Sequence, residues 1–138
     1  MENIEMLDIS GDLGIKVSAP TLEEIFETAA IGFYSLTTEI DNVEPLTTIQ
    51  VTVTEDTTER LLVAWLNELI CLFDTNGFIG RQVNIASLDN RHLSAEIKGE
   101  HFNLEKHDCG FLIKAATYHK LQLDKGDKGW TAVIIFDI

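Results

Sequence analysis

The sequence predicts an α+β fold, a two-layer sandwich in which two helices pack on one face of a mostly antiparallel sheet. Three observations carry this expectation. Two segments with apolar residues at intervals of three and four each follow a hydroxyl or carboxylate helix start, at Thr21-Leu22-Glu23-Glu24 and Asp56-Thr57-Thr58-Glu59. Alternating β-branched stretches lie before, between and after those segments. The resulting order is β-β-α-β-α followed by four strands. With 138 residues, 45% of them hydrophobic, the chain holds the material of one core, and a single domain over residues 1–138 is expected.

Ile4 to Ile9 reads as a short strand, and Leu13, Ile15 and Val17 alternate with Gly14 and Lys16 in a second, the two joined by a bend at Gly11-Asp12. Pro20 closes that strand and Thr21 caps the first helix. Its stripe of Leu22, Ile25, Phe26, Ala29, Phe33 and Leu36 faces a core, with Glu23, Glu27 and Thr37 toward water. Asp41 to Pro45 is a connecting loop, and Thr47 to Thr54 is a strand with one wet face. The second helix runs from the Asp56 box to about Phe73. Between Leu61 and Phe73 only Asn67 and Glu68 are polar, so it needs cover on more than one side, and Cys71 reads as a small core residue.

Beyond Gly77 the periodicity turns to two. Val83, Ile85 and Ser87, a turn at Asp89-Asn90, then Leu93, Ala95 and Ile97 form a hairpin. Glu100 to Phe111 reads as a surface loop, and its His101, His107 and Cys109 lack zinc-site spacing. Lys114-Ala115-Ala116-Thr117-Tyr118-His119 enters a strand by alternation. Leu121 and Leu123 precede a turn at Gly126-Asp127-Lys128-Gly129, and Trp130 to Ile138 closes the chain as its most buried strand.

Ten Lys and Arg against 23 Asp and Glu leave a formal net charge of −13. That balance opposes direct RNA or DNA binding, which rests on cationic side chains displacing condensed counterions. No apolar stretch reaches the roughly 20 residues of a membrane span, and no basic, apolar leader opens the chain. Two cysteines without a CxxC pair fit a reducing compartment. A soluble, cytoplasmic protein is expected.

One place draws chemistry. Asp137 and the main-chain carboxylate of Ile138 put two negative groups side by side at the end of an apolar strand, where a cation or donor must offset their repulsion. Asp12, between Gly11 and Gly14, is a third carboxylate, and those glycines would let a ligand near the backbone. If strand pairing brings the chain ends together, the three form an all-oxygen cage suited to Ca²⁺, Mn²⁺ or Mg²⁺. On spacing alone, Asp12 reads first as a turn aspartate and Asp137 as part of a frayed tail, with the cage as the alternative. Lys114 and His119 read either as strand residues with mixed faces or as counter-ion and donor to that cage.

The segments Asp12-Leu13-Gly14-Ile15, Trp65-Leu66-Asn67-Glu68-Leu69-Ile70 with Leu72-Phe73-Asp74-Thr75, Lys114 to His119, and Val133 to Ile138 together resemble the archease family, in the same order and nearly end to end. The resemblance implies a protein cofactor of the RtcB-type RNA ligase of tRNA splicing and RNA repair. Such a cofactor promotes guanylylation of the ligase and repeated turnover through a bound divalent metal, and is not itself an enzyme. Carried over, the metal ligands are Asp12, Asp137 and Ile138. Relatives often have a His where Ile9 stands, for which Asp8 is the nearest polar substitute, and a Glu where Leu112 stands. The rival readings are a metal-dependent hydrolase or nucleotide-processing enzyme using the same carboxylates, and a metal-independent, chaperone-like adaptor contacting partners through the apolar second helix.

Overall fold

The computed structural model describes residues 3–9 and 11–138, the side chain of Ile9 lying outside the description, as do Met1 and Glu2 of the segment read for a leader. Its elements are β1 (Ile4–Ile9), β2 (Asp12–Ala19), α1 (Leu22–Thr37), a 3-10 turn at Ile40–Asn42, β3 (Thr47–Thr54), α2 (Thr58–Asn76), β4 (Phe78–Leu88), β5 (His92–His101), β6 (Ala115–Ala116), β7 (Gln122–Gly126) and β8 (Gly129–Asp137).

The α+β class and the antiparallel pairing agree with the sequence. The strands, however, form two sheets where one was expected. The first has the order β1-β2-β8-β6, with β7 also paired to β8, and the second the order β3-β5-β4. Alternation marks which residues face a core but not which strand lies alongside, so one sheet and two look alike in sequence. Both helices touch both sheets: α1 meets β2 and β8 of the first and β4 of the second, and α2 meets β6 and all three strands of the second. Cover on more than one side is what the apolar breadth of α2 requires. The core thus draws on Ile15, Val17, Ile134 and Phe136 from one sheet, Val51, Ala95 and Ile97 from the other, and Phe26, Phe33, Trp65 and Leu66 between them.

Both helices start on a threonine hydroxyl. Thr21 Oγ1 accepts from the Glu24 amide and Thr57 Oγ1 from the Arg60 amide, each at 3.2 Å, so the cap of α2 is Thr57 and not Asp56. The helix also runs past Phe73 to Asn76. It stops at Gly77, whose φ of +67° belongs to the left-handed region that favours glycine, and whose amide bonds back to Leu72 and Phe73. Cys71 is exposed, not core: α2 buries Leu66, Leu69 and Ile70, and Cys71 falls on the outward stripe with Glu68.

Two residues of α1 assigned to water are engaged instead. Thr37 is buried, because the loop after β5 folds back over the end of α1, Gly110 and Phe111 donating to the carbonyls of Thr37 and Leu36 at 2.8 and 2.9 Å. Glu27 is half-buried and accepts the Ile85 amide at 3.0 Å, beside a bulge in β4.

The same loop is anchored by a charged knot. Glu100 accepts Lys106 Nζ at 2.8 Å on each oxygen, the Glu44 amide at 2.6 Å and His107 Nε2 at 3.2 Å. His107, read from sequence as a surface histidine, is buried against Phe102, and its Nδ1 accepts the Asn103 amide, which leaves the Nε2 proton for Glu100. Burial would raise the Glu100 carboxyl, but the bonds from Lys106, the Glu44 amide and His107 outweigh it and bring it from 4.5 down to about 2. A depressed carboxylate stabilises the fold fully above its unfolded pKa, and that contribution fades as pH falls from 4.5 toward 2. Glu100→Gln is therefore expected to lower the unfolding temperature at pH 7, with the gap to the parent closing in that acid window. Thermal denaturation of both proteins from pH 7 to pH 2 reads this, and a gap independent of pH would contradict it.

Candidate metal centre

The two chain ends meet. β2 and β8 pair antiparallel from Ala19↔Trp130 to Leu13↔Phe136, and the next step of that register sets Asp12, the first residue of β2, against Asp137, the last of β8. Directly opposed residues share a face and hold their Cβ atoms about 4.5–5.5 Å apart. The alternation explains why this pair faces outward. Leu13, Ile15, Val17, Phe136, Ile134 and Ala132 fill the core side, leaving Asp12, Gly14, Ile135 and Asp137 on the opposite face.

His119 completes one side. Its Nε2 lies 3.8 Å from Asp12 Oδ2, with both side chains more than half or half exposed, at 58% and 50%. The segment that carries His119 is shorter as a strand than the alternation suggests, since only Ala115 and Ala116 pair with β8. Lys114 reaches the site through its backbone, its amide donating to the Asp137 carbonyl at 2.7 Å. Asp8 is not brought in: it pairs with Leu13, so its register position belongs to the other face of the sheet. Ile138 follows Asp137 and is 46% exposed.

Of the two glycines, Gly14 does something different from admitting a ligand. A Cβ on Gly14 would stand 2.7 Å from the Ile134 carbonyl oxygen and from Ile135 Cδ1, so Gly14 lets β8 close on β2. The Cβ position of Gly11 is open, with nothing within 4 Å.

The donor set is oxygen with one imidazole nearby. Among the described residues no group of three or more His, Cys, Asp and Glu is set to hold a metal ion, so two opposed carboxylates need oxygen from elsewhere, and the main chain of Ile138 is the adjoining source. Such a set fits a hard cation that keeps part of its water shell and does not fit a closed zinc site.

Sequence reasoning missed one residue of this region. Asn67 on α2 donates from Nδ2 to the Ala116 carbonyl at 3.2 Å and accepts the Ala116 amide on Oδ1 at 2.8 Å. The available signal was its position as one of two polar residues in an otherwise apolar helix segment.

Fold and site together define a small α+β protein in which the two ends of the chain set a pair of aspartates side by side on the surface. The model of the archease protein family (MTH1598/TM1083) matches residues 4–138. The chain belongs to the archease family. It is 34% identical to the archease of Thermococcus kodakarensis over 142 residues, with 100% of each chain covered. It is also 34% identical to the archease of Pyrobaculum islandicum over 133 residues, covering 94% of this chain and 90% of that one. Protein 1598 of Methanobacterium thermoautotrophicum, solved in solution, shares the fold with a TM-score of 0.84 at 30% identity and 100% coverage of both chains. The crystal structure of an archease and possible chaperone from Thermotoga maritima shares the fold with a TM-score of 0.68 at 20% identity, covering 97% of this chain and 96% of that one.

Proposed function

We propose that this protein is an accessory activator of an RtcB-type RNA ligase, and that it holds a divalent cation, Ca²⁺, Mn²⁺ or Mg²⁺, through Asp12, Asp137 and the main-chain oxygens of Ile138. The observation that carries the reading is the β2–β8 register, which opposes Asp12 and Asp137 at the edge of the molecule. A divalent ion bound there supplies neutralisation of phosphate charge. The chain's own residues hold and present it. The β2–β8 register sets Asp12 against Asp137, pairing with Ala115 and the bond from the Lys114 amide fix Asp137, and the His119 imidazole stands 3.8 Å from the Asp12 carboxylate.

Two further features support a role in trans. Leu112, Tyr118 and Ile138 are exposed at 70%, 55% and 46% on the segments that carry the site, giving an apolar surround for a protein contact. The net charge of −13 steers the molecule toward a partner that is basic because it handles RNA, an effect that salt weakens. Among the described residues no helix is long and apolar enough to cross a membrane.

The test is multiple-turnover RNA joining by an RtcB-type ligase with and without this protein, across Mn²⁺ and Mg²⁺ conditions. Stimulation beyond one turnover is expected. No stimulation would reject the activator reading, hydrolysis of nucleotides or phosphoesters without the ligase would favour the enzyme reading, and stimulation that survives chelation would favour a metal-free adaptor.

A further inference from the structure

Strand β6 is two residues long, too short to hold its place by pairing alone. Along β8 it is tied by Lys114 and Thr117, whose amides donate to the carbonyls of Asp137 and Ile135 at 2.7 and 3.0 Å, and by Thr117 Oγ1, which donates to Ile135 at 2.8 Å. Between these, both backbone groups of Ala116 go to a side chain, the amide of Asn67. Asn67 thus stands where a further strand would stand, presenting a donor and an acceptor in the spacing of a peptide group. Ala116 is only 5% exposed, so water does not readily replace that partner. Two turns earlier on the same helix, Arg60 lies over the Tyr118 ring, 5.8 Å from its centroid, next to His119.

From this geometry we infer that Asn67 is a positioning residue for the carboxylate site, holding β6 so that Lys114 fixes the Asp137 main chain and the following turn keeps His119 beside Asp12. The inference rests on the metal reading above, and it adds a residue of α2 that touches none of the proposed ligands. Removing its amide leaves the Ala116 amide and carbonyl without partners, frees the 114–119 segment, and lets Asp137 and Ile138 drift from Asp12. Displaced supports of this kind weaken metal binding by about tenfold to a hundredfold.

The experiment is calorimetric titration of the full chain with Ca²⁺ alone, for the parent and Asn67→Ala, together with amide hydrogen exchange of both in the absence of metal. Expected are at least about tenfold weaker Ca²⁺ binding in Asn67→Ala and faster exchange at Lys114 and Thr117. Exchange at Ile15 and Ile134, in the body of the β2–β8 pair, should not change. A structural role confined to stability would leave Ca²⁺ affinity unmoved. Parent and variant binding equally would overturn the inference. A parent that binds no Ca²⁺ would remove the metal reading, and exchange at Lys114 would then decide by itself: unchanged rates would overturn the positioning role and faster rates would uphold it. Should Asn67→Ala not fold, Asn67→Asp, which keeps size and the acceptor but loses the donor, is judged by the same criteria.

Discussion

Asp137→Ala is expected to abolish divalent-cation binding and stimulation of the ligase while leaving the unfolding temperature close to that of the parent. Asp137 is exposed at the end of β8, and its side chain makes no hydrogen bond within the described residues, so truncation removes no packing. The backbone bond from Lys114 to its carbonyl survives the substitution. What is lost is one of two opposed carboxylates, half of the side-chain charge that would hold the ion. Asp12→Ala is expected to do the same, with the added loss of its contact to His119. A variant that stimulates as well as the parent clears Asp137 of the role.

The largest effect on stability is expected in the core. Trp65 is fully buried, and its indole Nε1 donates to the Phe26 carbonyl at 3.0 Å, tying α2 to α1 between the two sheets. Trp65→Ala removes the largest buried side chain and leaves a cavity where both helices and the sheets converge, at a cost of about 3–5 kcal/mol. For a chain of this size that is a fall in unfolding temperature of roughly 10 to 17 °C. Differential scanning calorimetry measures it. A fall of only about 2 °C would mean that the helices do not depend on this contact.

These two predictions sit at the two levels on which the sequence was legible. Local chemistry was readable: the Thr21 cap of α1, the start of α2 to within one residue, the alternation of β2 and β3, and the Gly126 to Gly129 turn all follow from short-range sterics and hydrogen bonding. The meeting of Asp12 with Asp137 was readable only as a condition on strand pairing, because a period of two assigns faces but names no partner strand. The division into two sheets was hidden for the same reason.

Polar groups inside the fold were the least legible. Glu27 to Ile85, Asn67 to Ala116 and Glu100 to Glu44 are bonds between residues far apart in the chain, and each looks like an ordinary solvated side chain until the fold brings a bare backbone group to it. Cys71 fails in the opposite sense. An apolar helix segment still has an outward stripe, and residue type alone did not say which position occupied it. His107 carries the loop's polar signature in sequence, but a loop residue need not be a surface residue, and this loop closes over its own histidine.

The opposed Asp12 and Asp137 are expected to bind a divalent cation. Calorimetric titration with Ca²⁺ of the parent beside Asp137→Ala should give saturable heat at one ion per chain in the parent and none in the variant; silence in the parent, or equal heat in both, would reject the site.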